Sequence, residues 1–260
     1  MIGAFALSVS SEWLKQKRSL TFWLVTGSAF FVPAIIFLSR FRRIDALPAV
    51  YRADGFWERL WVQSWESMAL MILPMAIMLT VTLITQIEDR NYAWKQVHAS
   101  PQPLATIFTA KLVVILALVI EMILWFTAAI YLAGILPAVI LPNVDAPPRA
   151  FPAARFLARD VDFLIDALPI VALQYLLALR FRTFVTPLGV GMAVWILSIG
   201  TISWTYNYVV PYSYAGLDYL MVEYKRPLIL PASPRAMAAL YFVVFTIAGY
   251  GMYALRRDKG

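Results

Sequence analysis

The chain has no cysteine and a single histidine, His98, among its 260 residues. The first absence removes disulfide frameworks, iron–sulfur ligation and thiolate zinc sites, and the second removes any HExxH pair. No metal-binding residues are expected. Charge is scarce as well: 14% of the residues are Asp, Glu, Lys or Arg, against about 25% in a soluble domain. So few titratable groups leave little material for an intramembrane enzyme, which needs a clustered nucleophile and base or a metal set. The phosphate-cradling pattern GxxxxGK[ST] is absent too, so nucleotide hydrolysis is not expected of this chain.

What is present is apolar sequence. The chain is 62% hydrophobic with a mean hydropathy of +0.72, and the apolar residues come in runs. Roughly 20 such residues cross a bilayer as one helix. The runs predict an all-α, polytopic membrane protein with spans at about 20–39, 67–87, 104–132, 162–179, 185–205 and 236–255. The net charge of +7 fits basic residues flanking spans beside anionic headgroups better than nucleic-acid binding. No cleavable leader is expected, because the apolar start lacks a basic preface and the first long run lacks a small-residue cleavage site.

Residues 1–18 read as an amphipathic helix lying in the headgroup plane. Ile2, Phe5, Val9 and Trp13 share one side, and Ser8, Ser11, Glu12, Lys15 and Arg18 mostly the other. Trp57, Trp61 and Trp65 recur every four residues, which suits an interfacial aromatic belt. Proline density predicts an external loop over 136–152. The tyrosine-rich stretch within 206–235 reads as an outer re-entrant or interfacial element. Six spans put both termini on one side. The Lys and Arg count divides the 22 basic residues evenly, 11 to each side, so it sets no orientation. Shorter inner loops and mostly outer acids favour termini inside.

Residues 85–103, TQIEDRNYAWKQVHASPQP, break the apolar pattern. They carry Glu88, Asp89, Arg90, Lys95 and aromatic Tyr92 and Trp94, with helix-forming character from 88 to 97 and proline stops after it. A short exposed helix with aromatics and mixed charge is a docking surface: rigid apolar contact plus charge-assisted hydrogen bonds. Within the apolar runs, Glu121 falls near the middle of the third span. An acid there must face protein or water. It reads as lining a path for a cationic solute, as pairing with a basic residue in the bundle, or as a packed glutamate that is protonated or hydrogen-bonded. Asp160 and Asp162 read as a solvated cap at the start of the fourth span, and Asp166, a turn deeper, as a second candidate path residue. Gly189 and Ala193 are spaced as small-xxx-small, a possible dimer seam or ordinary membrane-helix packing.

The pattern IEDRNYAWKQVHASPQPLATIFTAKL resembles the type-2 ABC permease family. In that family a glutamate ends the second span, an aromatic sits in a short coupling helix, a proline follows, and a lysine opens the third span. Glu88, Trp94, Pro101 and Lys111 fill those places. EWLKQKRS is similar to the family's elbow helix, and LQYLLALRFRTFVTPLGVGMA resembles its fourth-to-fifth span turn in the lantibiotic-immunity and antimicrobial-peptide export branch. The resemblance implies one permease domain over 1–260 with six spans. It implies a second permease half, homodimeric or related, and two copies of a cytoplasmic ABC ATPase that bind ATP and magnesium. This chain then binds no cofactor itself. It implies a bacterial cytoplasmic membrane protein with cytoplasmic termini that exports a peptide, drug or other amphipathic molecule. An ion-coupled transporter or channel using Glu121 is the alternative, as is a non-exporting membrane subunit of an ABC complex.

Overall fold

The structure, a computed structural model, describes residues 2–17, 19–90, 103–181, 183–224 and 233–255. Every regular element among the described residues is helical. In chain order these are α1 (Ile2–Gln16), α2 (Leu20–Phe41), a 3-10 turn (Ile44–Ala46), α3 (Leu47–Arg52), α4 (Phe56–Ser67), a π-helical segment (Met68–Ile72) and α5 (Leu73–Arg90). There follow α6 (Leu104–Ile140), α7 (Ala153–Arg180), α8 (Val185–Gly200), a second 3-10 turn (Asn207–Val209), α9 (Tyr214–Tyr224) and α10 (Pro234–Ala254). Among the described residues five stretches are long and apolar enough to cross a membrane: α2, the continuous Phe56–Gln86 helix, α6, α7 and α10. At 16 residues α8 is apolar but shorter, about 24 Å by helical rise against a hydrocarbon core of about 30 Å.

Contacts fix the directions. Phe30 of α2 meets Trp125 of α6, and Arg40 reaches Ala133, so α2 and α6 run parallel. Tyr175 of α7 donates its hydroxyl to the Phe108 carbonyl, and Thr127 meets Asp160, so α7 returns antiparallel to α6. Arg235 pairs with Asp162 and Gly249 lies over Leu176, so α10 runs parallel to α7. One end of the bundle thus gathers α1, the end of α5 and the start of α6. The other gathers α3, the starts of α4 and α7, and the 201–213 turns. The outward faces of α2 and α10 are apolar, as with Trp23, Phe31, Ile35 and Leu38 on α2 and Leu240, Val243 and Ile247 on α10. That is the surface a bilayer requires, and this is a multi-pass membrane protein.

Four local expectations are corrected. Trp57, Trp61 and Trp65 share a helical face, but that face is buried, not interfacial. Trp65 stacks on Phe163 with ring centroids 3.8 Å apart, Trp61 stacks on Phe156, and the Trp57 indole donates to the Arg149 carbonyl. Aromatic area this large gains more from packing between α4, α6 and α7 than from headgroups. Residues 136–140 are helix rather than loop, since α6 runs through Pro137 to Ile140. Pro137 brings no N–H to the Ala133 carbonyl, and the Arg40 guanidinium bonds that oxygen instead.

On α1 Val9 and Trp13 do pack against the core, but the polar side is not wholly solvated. Ser8, Glu12 and Gln16 face the protein, while Leu7 and Leu14 are exposed. A buried lysine on α6 draws the polar stripe inward. Finally, α7 begins at Ala153, so Asp160 and Asp162 lie two turns inside it, and Asp160 is buried rather than a solvated cap.

Candidate functional site

At the α1 end, the Lys111 ammonium lies 3.5 Å from the Glu12 carboxylate, with both side chains almost wholly buried. Lys15 also pairs with Glu12. This ties the first helix to the start of α6, next in sequence after the charged 85–103 segment. A buried pair costs much to desolvate, and breaking one partner is far worse than replacing both. Glu88, Asp89 and Arg90 form the last residues of α5. Tyr92, Trp94, Lys95, His98 and Pro101 lie outside the described residues.

A second polar set sits within the bundle. Gln174 of α7 is fully buried, and its amide nitrogen donates to Thr82 Oγ1 at 2.9 Å and to the Pro187 carbonyl at 3.1 Å. Its carbonyl accepts from the Tyr212 hydroxyl at 2.9 Å. One side chain thereby joins α5, α7, the start of α8 and the 201–213 turns. Burial pushes the Tyr212 phenol far above its usual value, so it stays a neutral donor. The helices approach closely here because Gly191 has no side chain: a Cβ on it would press on the Gln174 carbonyl and come within 2.8 Å of Met78 Sδ. Nearby, the Trp195 indole donates at 2.9 Å to the Leu70 carbonyl, one turn before Pro74, which has no N–H to offer it. The helix is π-wound over Met68–Ile72, just before that proline.

The third set gathers at the opposite end from α1. Arg235 of α10 lies 2.8 Å from Asp162 of α7 and 3.8 Å from Asp218 of α9. Asp160 accepts the Thr127 hydroxyl at 2.6 Å. Asp166 has no exposed surface, and neither carboxyl oxygen has a hydrogen-bond partner among the described residues. Burial pushes the Asp218 carboxyl above its usual range; Arg235 and Arg159 pull it back and Asp162 adds to the rise. Among the described residues no group of three acids or histidines is placed to hold a metal.

Glu121 stands apart from all three. It is half-buried on α6, and the Trp125 indole donates to it at 3.3 Å. Gly189 and Ala193 are both exposed on α8, with open space where a Gly189 Cβ would stand. The structure thus places Asp166 near Arg235 and Asp218, leaves Glu121 separate, gives Glu12 a buried partner, and adds residues that sequence reasoning passed over: Arg40, Gln174 and Tyr212. A mid-span amide such as Gln174 was the one visible signal, since an uncompensated amide in a bilayer needs partners.

Comparison with curated proteins returns no match. The model of a family described as ABC-2 family transporter protein matches residues 8–198, well over half of the chain. That stretch takes in α2 to α7, the charged segment and nearly all of α8, and on this match the chain belongs to the ABC-2 transporter family.

Proposed function

We propose that this chain is the permease subunit of an ATP-driven exporter in a bacterial cytoplasmic membrane. In this reading α8 is the fifth of six spans and α10 the sixth, both termini are cytoplasmic, and the segment 88–101, helical over 88–97, docks a separate ATPase. Two ATPase copies, which bind ATP and magnesium, drive two permease halves that meet along the Gly189 and Ala193 face. The observation that carries the reading is the family match together with where the charged segment falls. It follows directly in sequence on α5, whose helix is continuous with α4 from Phe56 to Gln86. A push on 88–101 acts on that rod and, through Gln174 and Trp195, on α7 and α8.

The cargo in this reading is amphipathic, a peptide or drug among the candidates, and Glu121 and Asp166 belong to its path. The experiment is co-purification of an ATPase with the chain, followed by transport in cells. Glu88→Lys and Trp94→Ala are expected to lower transport while membrane abundance stays level. Unchanged transport in both variants would overturn the coupling role.

A further inference from the structure

Trp125, which bonds Glu121, packs its ring against Phe30 at a centroid distance of 6.1 Å, and Phe30 lies at the middle of α2. Glu121 is therefore held at mid-membrane depth, where an ionisable side chain is costly and marks a function by default. It does not point into the bundle. It borders an open groove of about 530 Å³ on the bilayer side of α6, walled by Trp13 of α1, Leu124 and Trp125 and floored by Ala117 and Ala128. Among the described residues Glu121 is the one ionisable group lining it, and no basic side chain pairs with it.

The occupant must then bring positive charge and apolar surface together. A second copy of this chain does not fit. Among the described spanning residues its basic groups lie at span ends, as Arg40 and Arg180 do, or are buried against Glu12, as Lys111 is. None stands at the depth of Glu121. A phospholipid brings a phosphate beside any ammonium it carries, and Glu121 would repel that phosphate. A single-headed lipophilic amine supplies both parts: an ammonium for Glu121, with the indole faces of Trp13 and Trp125 as cation–π partners, and an alkyl or aryl tail for the apolar groove.

We infer that the α1–α6 groove is a binding site, open to the bilayer, for a lipophilic ammonium compound, with Glu121 as its counter-ion. This deepens the export reading by naming a substrate class, and rests on that reading only for the meaning of the site in transport. Binding itself needs neither ATP nor the ATPase, so the two fail separately.

The test uses the full chain in nanodiscs of zwitterionic lipid with dansyl-labelled dodecylamine as probe, read by fluorescence anisotropy. Wild type is expected to bind the amine at least 10-fold more tightly than its N-acetylated, uncharged form. Glu121→Gln is expected to remove that preference, and Ala128→Phe, which narrows the groove but keeps the acid, to weaken the amine by a similar factor. Equal binding of amine and N-acetyl probe by wild type overturns the site. So does an unaltered preference in Glu121→Gln. If a variant fails to accumulate, the wild-type comparison alone decides. Loss of ATPase co-purification with the amine preference intact would overturn the export reading and leave the site standing.

Discussion

Arg40 donates from Nη1 to the Ala133 carbonyl at 2.8 Å, the carbonyl that Pro137 leaves without an amide. The same nitrogen donates to the Tyr51 hydroxyl, which in turn donates to the Gly134 carbonyl at 2.8 Å. A helix in apolar surroundings tolerates proline only where the freed carbonyl finds another donor. Arg40→Met is expected to lower stability by about 1–3 kcal/mol. In a Pro137→Ala background the loss should shrink, because residue 137 then supplies the amide itself. A double-mutant cycle of unfolding in mixed micelles measures this; equal losses in both backgrounds would refute it.

Gly134 and Gly189 should respond oppositely to alanine. A Cβ at Gly134 would overlap the Trp57 ring, which is wedged between Tyr131 and Phe151. Gly134→Ala is expected to cost about 1–3 kcal/mol through overpacking. Nothing lies within 4 Å of a Cβ at Gly189, so Gly189→Ala should stay within about 0.5 kcal/mol of wild type. Thermal melts of the purified chain compare the two.

The exposed Gly189 and Ala193 face also tests the proposed dimer. Gly189→Leu and Ala193→Leu together should leave the protomer's melting temperature unchanged and lower the cross-linked dimer fraction in membranes. An unchanged dimer fraction would place the seam elsewhere.

Gln174 holds three partners, so Gln174→Leu strands the Tyr212 hydroxyl and leaves the Pro187 carbonyl without its donor. Each orphaned buried group costs about 1–3 kcal/mol. Tyr212→Phe should cost less alone, and the double variant less than the sum of the singles, since the shared hydrogen bond is lost once.

Asp218 gives a pH dependence whose sign follows from burial. Its carboxyl titrates above the unfolded value in the folded chain. The folded state therefore holds more protons in the window between the two values, and stability falls as pH rises through it. Arg235 opposes that rise, so Arg235→Gln should widen the window upward. The variant is expected to lose more stability relative to wild type at pH 8 than at pH 5. Melting temperatures across that range decide it, and a pH-independent difference would remove the arginine from the role.

Much of the architecture was legible because a bilayer imposes it. Apolar runs near 20 residues have few alternatives to spanning helices, and the run beginning at Leu20 needed no more than that and a Ser19 cap. The charged break at 85–103 was legible for the same reason, since charge in so apolar a chain is costly unless it serves a contact. What each residue faces was not legible. The Trp57, Trp61 and Trp65 stripe is equally suited to headgroups or to Phe156 and Phe163, and periodicity cannot choose. The Ser8, Glu12 and Gln16 stripe turned inward because Lys111, about a hundred residues later, waits there for a counter-ion.

By itself the sequence determined that this is a helical membrane protein, and it marked the charged 85–103 segment and Glu121 as exceptions to an apolar rule. Only tertiary structure decided that Pro137 lies inside a helix, that Arg235 joins Asp162 to Asp218, and that Glu121 borders a groove rather than the bundle interior. The physical reason is that hydropathy is a property of each segment against its solvent. The partner of a freed carbonyl or a buried charge is a property of two segments, and it exists only once they meet.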